Sequence, residues 1–580
     1  MFLDALVPSM RLVPRSATRA GLSISFALVI GTSLVVSRKC SASDYVKGAP
    51  EVIVARERCT GMPLLCADDD GHVYSLFVRC TDLFNEFDVL VARSMNFGRD
   101  WELPVVIESL PGRAQVASGG ADLQCDSFGN VFAAWGNPTV GWPDIYFVVS
   151  HDAGASWNGP PVRLSSSEPG TSDNAKPRIA HDGLGNVYVG WFDGGQSRSP
   201  GAYFNVSHDF GDTWRALDIR LNEMTQFAEQ IQVACDDLGH VYVLYVAGIP
   251  DAHNLWLSVS SDFGETFAPE VRVNPFDTQP GFGYLATDGN GHVVVGYNDS
   301  RRDPVGQSRD VFVNVSSDFG QSFRNEDIRV SHAGLGGLRM SCNGVVYALV
   351  PSSRGSGGFK AQLFFNRSLD YALTWQPDDI QLSARVEDVT DWDFTSTRGG
   401  HVYVVWSYFT REIMLNASVD DGATWLPAEM RMDTVGDNGG VAIAADELGN
   451  VYTAWDTIAA MAEIRANWAS PLVQVGMEGP NDPVRIPPEG SSFEYEVLLR
   501  NTLSSRQAGL SAWIDVTKPN GRTFGPVLGP VSFSLGADVE RGKTLRLRVP
   551  ARVPPGTYLL NLRISGPMVG DQNRLCLLKE

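Results

Sequence analysis

The chain has 580 residues, 43% of them hydrophobic and 10% aromatic, which exceeds a single ordinary domain and leaves ample apolar material for large cores. Its formal charge of −21 at pH 7 is the wrong sign for a nucleic-acid or anionic-membrane partner. Fifty-eight glycines and 33 prolines call for many turns.

The first segment resembles an export signal. Arg11, Arg15 and Arg19 precede the apolar run AGLSISFALVIGTSLVV (20–36), and the small residues of CSAS (40–43) follow. Translation starting at Met10 would leave this pattern intact. Cleavage near Ser43 removes five Arg/Lys and one Asp, leaving a mature chain of about −25. The competing reading is an uncleaved anchor, but 17 residues is short for a span and Arg38-Lys39 lies just beyond it. No other segment could cross a bilayer, so the mature chain has no membrane span if the signal is cleaved. A secreted or cell-envelope location follows. Of eight cysteines, Cys40 leaves with the signal. The remaining odd number, without CxxC spacing, speaks against a zinc site or a full disulfide framework. Cys66, Cys125 and Cys235 sit just before an Asp in successive repeats and read as small buried hydrophobes, while Cys59 and Cys80 could pair.

From about residue 44 to 474 the chain repeats. The signature Gly-Asn/His-Val-Tyr recurs at 71, 129, 185, 239, 291, 344, 400 and 449. An octapeptide of the form Ser-x-Asp-x-Gly-x-x-Trp follows seven of these, at spacings of about 50 to 57 residues. Its copies are Ser94-Asn96-Gly98-Trp101, Ser150-Asp152-Gly154-Trp157, Ser207-Asp209-Gly211-Trp214, and Ser260 or Ser261 with Asp262-Gly264-Phe267. The others are Ser316-Asp318-Gly320-Phe323, Ser368-Asp370-Trp375 with Ala372 in place of Gly, and Ser418-Asp420-Gly422-Trp425.

Residues 177–221 show the unit: strand PRIAHD, turn GLGN, strand VYVGWFD, strand AYFNVSHD, turn FGD, strand TWRALDIRLN. Four antiparallel strands every 50-odd residues make one blade of a β-propeller. The eighth unit lacks a fourth strand, and APEVIVAR (49–56) matches the fourth strand APEVRVN (268–274). The N-terminal strand is therefore expected to complete blade eight; seven blades with a stray hairpin is the alternative. Both the octapeptides and the GLGN turns then lie on one side, and the strand 2–3 loops and blade-to-blade connections on the other. After about 475 the period stops. Alternating strands split by Pro/Gly turns suggest an Ig-like β-sandwich over 475–580, without a Cys…Trp…Cys pattern.

The octapeptide resembles the Asp-box, or bacterial neuraminidase repeat, of sialidase-like propellers. The resemblance covers about residues 49 to 470. The motif reads as a turn locked by its own side chains: Asp accepts backbone N–H bonds, Gly permits positive φ, and the aromatic packs back against its blade. The resemblance implies an active site on the face opposite the Asp-boxes, with three arginines, a Tyr–Glu pair and an Asp acid/base. The family's first arginine lies in Arg-Ile-Pro; here Gly61-Met62-Pro63 stands there. The one literal copy, Arg485 to Pro487, falls in the C-terminal domain. This departure argues against ordinary sialidase activity.

On the loop face the candidates are Asp193, Asp299, Arg301, Arg302, Asp303, Asp391, Tyr408, Arg411, Glu412 and Asp456, with Asp388 and Asp393 beside Asp391. Carboxylates about 5 to 10 Å apart could hydrolyse glycosides, and acidic loops could hold calcium, although no cofactor is called for. The plainer reading is solvated charge with local Asp–Arg pairs. No EF-hand spacing, HExxH helix or nucleophile elbow occurs, and Asn205-Val-Ser207 and Asn314-Val-Ser316 follow from the repeat. A glycan- or protein-binding propeller is the first expectation, a glycoside hydrolase the second and a cell-envelope scaffold the third.

Overall fold

The computed structural model describes residues 45–580 except 49–50, 57–62, 83–85, 112–119, 138–140, 196–198, 223–226, 250–251, 277–279, 282, 300, 302–309, 332–333, 342–343, 353–360, 386, 435, 437, 458–462, 472, 481–482, 504, 538 and 567–569. The segment read as an export signal, Gly61-Met62, Arg302, Asp303 and the proposed partner Cys59 lie outside the described residues. Two compact units divide the chain, Lys47–Ser470 and one built on Pro471–Glu580.

The larger unit is all-β and has the multi-blade architecture of a propeller. Seven antiparallel four-stranded sheets follow one another at 64–111, 121–163, 174–220, 227–272, 283–331, 337–381 and 389–431. An eighth contains Asn438–Ala445, Val451–Thr457 and Glu463–Pro471. Along its last strand run Tyr45–Lys47 and Val52–Arg56, with Val52 opposite Ala466 and Arg56 opposite Glu463. Each second strand is buried on both faces, as in Val187–Asp193 and Val402–Tyr408. That is why these strands read as unbroken apolar runs rather than alternating ones. The cores lie between sheets: Phe132 and Phe147 of the second meet Ile179 and Trp191 of the third. The first and eighth sheets share one such cluster, in which Val54, Ala55 and Ile464 pack with Phe77 and Leu90.

The octapeptides close strands three and four by side-chain bonds. In the third sheet the Gly211 N–H donates to Ser207 Oγ at 2.9 Å, and Ser207 donates to Asp209 Oδ1 at 2.8 Å. Asp209 also accepts Thr213 N–H at 2.8 Å and Thr213 Oγ1–H at 2.6 Å. Ser260, rather than Ser261, fills this role in the fourth sheet. Phe210 and Gly211 both have positive φ, and Phe210 N–H reaches Gly185 O at 2.7 Å. Octapeptide and strand 1–2 turn thus sit at one end of the sheet.

The aromatic differs from expectation. Trp214 packs edge-on against Phe147 at 4.7 Å, Phe267 against Phe204 at 4.9 Å and Trp425 against Phe365 at 4.8 Å. Each partner belongs to the preceding sheet, so the octapeptide fastens one sheet to the next instead of folding back on its own. The repeat period could not reveal this, because every sheet offers an equivalent ring. The motif's glycine is needed there for space as well as for φ: a Cβ on Gly422 would run into the Phe365 ring. Ala372, which stands at this position in the sixth sheet, belongs to a cluster with Val313 and Val315 of the preceding sheet. Gly422→Ala should therefore cost about 2–4 kcal/mol in urea unfolding, against a change within about 1 kcal/mol for Ala372→Gly. Equal effects of the two would refute the packing account.

The Asn-x-Ser asparagines are also structural. Asn205 Nδ2 donates to Leu164 O of the preceding sheet at 3.3 Å and to Arg215 O at 3.1 Å. Asn314 repeats this with Val273 O and Arg324 O at 2.8 and 3.0 Å. Both residues are buried, which closes them to glycosylation.

The smaller unit packs a three-stranded sheet against a five-stranded one around Val475, Leu510, Ile514, Leu560 and Leu575. The strand Val473–Glu478 is part of it, and Arg485 lies on the edge strand Val484–Ile486, which runs parallel to Gly570–Lys579. Cys576 is disulfide-bonded, whereas Cys66, Cys125 and Cys235 are free.

Candidate functional site

Asp193, Asp299, Arg301, Tyr408 and Glu412 of the loop-face candidates make hydrogen bonds or ion pairs within the fold. Asp299 accepts Arg301 N–H at 2.7 Å and Arg301 Nη2 at 2.6 Å. Arg301 also reaches Asp327 Oδ2 at 2.7 Å and lies over the Phe312 ring at 4.0 Å. Tyr297 donates its hydroxyl to the same Asp327. Asp193 is buried and receives Ser172 Oγ at 2.7 Å and Gly195 N–H at 2.7 Å, so it braces its own turn.

The seventh sheet carries a second network. Tyr408 is buried and donates to Glu429 Oε2 at 2.8 Å. Glu412 lies between Arg385 and Arg431, and hydrogen bonds from Arg385 above all hold its carboxyl below the usual range. Arg411 is exposed, with a left-handed backbone at φ 65°.

Asp391 belongs to a different setting, an inner strand that begins on the loop face, and Asp456, at the end of the eighth sheet's second strand, lies in its field. Asp391 Oδ2 accepts Val441 N–H at 2.8 Å, and Asp393 Oδ2 accepts Ile443 N–H at 3.2 Å, both from the eighth sheet. Asp122 makes the same bond to Ile179 N–H of the third sheet at 2.8 Å. Arg178 lies in the field of Asp122, and Arg339 in that of Asp393 while stacking over Phe394 at 4.9 Å. Tyr284 feels Arg339, Asp393 and Arg178 together, although they come from the sixth, seventh and third sheets.

Burial governs the protonation here. It pushes Asp393 and Asp456 up to about 6 and raises Asp391 as well. It also raises the Tyr284 phenol despite the arginines. Asp456 Oδ1 is buried without a hydrogen-bond partner.

Sequence reasoning missed Asp122, Arg178, Tyr284 and Arg339. A signal was present. Four residues before the Asp or Thr that opens each strand 1–2 turn stand Asp122, Arg178, Gln232, Tyr284 and Asp393. These occupy one level of five inner strands, where an all-structural edge would be apolar, as at Leu64 and Ala442.

The raised Asp393 has a testable consequence. Its folded-state value lies above the unfolded one, so its contribution to stability is full below about pH 4 and is lost as the pH rises through about 6. Asp393→Asn keeps an acceptor for Ile443 N–H but cannot titrate. The stability difference between wild type and variant should shift against the wild type over that window and stay level above it, measured by urea titrations at stepped pH. A difference that is flat from about pH 4 to 7 would contradict the assignment.

Among the described residues no three His, Cys, Asp or Glu side chains gather to hold a metal ion, and no helix is long and apolar enough to cross a membrane. The sequence matches no family model and no curated protein. Among solved structures the chain is similar to the polysaccharide lyase Uly1, at 10% identity and a TM-score of 0.43 over 64% of this chain and 91% of that one. It is also similar to an ulvan lyase bound to -[GlcA(1-4)Rha3S]-, at 16% identity and a TM-score of 0.40 over 58% and 89%. A third is the α-L-arabinanase of Penicillium chrysogenum, at 14% identity and a TM-score of 0.33 over 53% and 94%. At these identities the likeness concerns the fold.

Proposed function

We propose that the chain is an exported, eight-bladed propeller of Asp-box type, closed by its N-terminal strand and followed by an Ig-like sandwich. Its role is to hold a glycan at the loop-face mouth of its central channel. The observation that carries this reading is the inner-strand set of Asp122, Arg178, Gln232, Tyr284, Arg339, Asp391 and Asp393, with Asp456 at the end of the eighth sheet's second strand. It offers donors and acceptors together from several blades, as a polyhydroxylated ligand requires. Export is supported by the N-terminal pattern of arginines, apolar run and small residues.

An array of neutral, uronic-acid and amino-sugar oligosaccharides tests the reading. The wild-type protein should be retained on at least one of them. Asp391→Asn/Asp456→Asn should bind about tenfold more weakly with its Tm within about 2 °C of wild type. No retention of the wild type, or equal retention of both, would sink the proposal.

The second reading, a glycoside hydrolase, is favoured by Asp393 and Asp456, each with a carboxyl pushed up to about 6 as a general acid needs. Turnover of a fluorogenic glycoside that disappears in Asp456→Asn would favour it over pure binding.

A further inference from the structure

The inner strands of the third and fourth sheets carry the same irregularity. Between Ala175 and Arg178, and again between Glu229 and Gln232, pairing with the second strand slips by one residue. Lys176 and Gln230 stand at these bulges, each six residues before the Asp that opens the following turn. Their φ values are 53° and 59°. Among the described residues, the octapeptide turns and Arg411 hold every other non-glycine with positive φ.

A left-handed bulge position suits glycine, and a long side chain there is strained. Strain retained twice at one register needs a use for the side chains. The fold supplies little. Lys176 Nζ rests over the Phe192 ring at 5.8 Å, and Gln230 Oε1 is buried with no hydrogen-bond partner. A buried amide oxygen left unbonded is costly unless something else donates to it. Both residues lie toward the loop-face end of their strands, above Arg178 and Gln232.

We propose that Lys176 and Gln230 are ligand-contacting residues, one donating through its ammonium and the other accepting through its amide oxygen, that read hydroxyls of a bound sugar. This rests on the glycan-binding reading above. The bulges re-aim the two side chains, and the strain is the cost of holding them ready.

The test uses the full chain carrying Lys176→Gly/Gln230→Gly. Glycine fits the observed φ, so the backbone is kept while both side chains are removed. On the same oligosaccharide array the variant should lose about tenfold in retention while its Tm stays level or rises. Retention within about twofold of wild type, or a Tm lower by more than about 3 °C, would overturn the inference and return the bulges to a structural role. Failure of the underlying reading is distinguishable, because the wild type would then be retained on no spot.

Discussion

Arg301→Ala should destabilise the larger unit by about 3–5 kcal/mol, far more than a surface loop residue would. The guanidinium holds two carboxylates at once, Asp299 at 2.6 Å and Asp327 at 2.7 Å, and both are nearly inaccessible to water. Removing it takes a bridging counter-charge from two buried carboxylates, and Tyr297 loses the arrangement its hydroxyl depends on. Stacking on Phe312 and Phe276 adds a packing loss. Arg301→Lys should recover only part of the stability, since an ammonium cannot grip both acids with a planar fork. Urea unfolding followed by tryptophan fluorescence measures this. A loss below about 1 kcal/mol would return Asp299 and Arg301 to the pool of free loop charges.

Deleting the chain through Arg56 should have an effect on the order of 5 kcal/mol on the eighth sheet. Val54 and Ala55 would leave the cluster they form with Phe77 and Leu90, and the Glu463–Pro471 strand would expose its edge. The deletion also removes Glu51, whose carboxylate accepts Arg465 Nη1 at 2.7 Å. The expected result is a new, lower thermal transition together with concentration-dependent aggregation through the bare edge. Adding a peptide of residues 45–56 should reverse both. A single transition at the wild-type temperature would mean that this strand is dispensable to the eighth sheet.

The strand rhythm was legible because a strand buried on both faces, such as Val187–Asp193, writes a continuous apolar run that few other elements produce. The pairing of Val52–Arg56 with the eighth sheet was legible for a different reason. Residues 49–56 resemble 268–274, a strand whose place in its own repeat was plain. Which charges were already spent was not legible. Arg301 finds Asp327 26 residues further on, and Glu412 finds Arg385 27 residues back. Those partners are set by how strands stack, not by local spacing. The inner-strand set was hidden in the opposite way. Its members are some 50 residues apart and each alone looks like ordinary strand polarity, so only alignment against the following turns assembles them.

The channel-mouth reading is tested most directly by hydrogen–deuterium exchange of the full chain, with and without an oligosaccharide that retains it on the array. Slowed exchange confined to the inner strands at Asn174–His181, Val389–Ser396 and Asn438–Ala445 is the predicted result. Protection at the octapeptide turns or in the Pro471–Glu580 unit, with the inner strands unchanged, would contradict it.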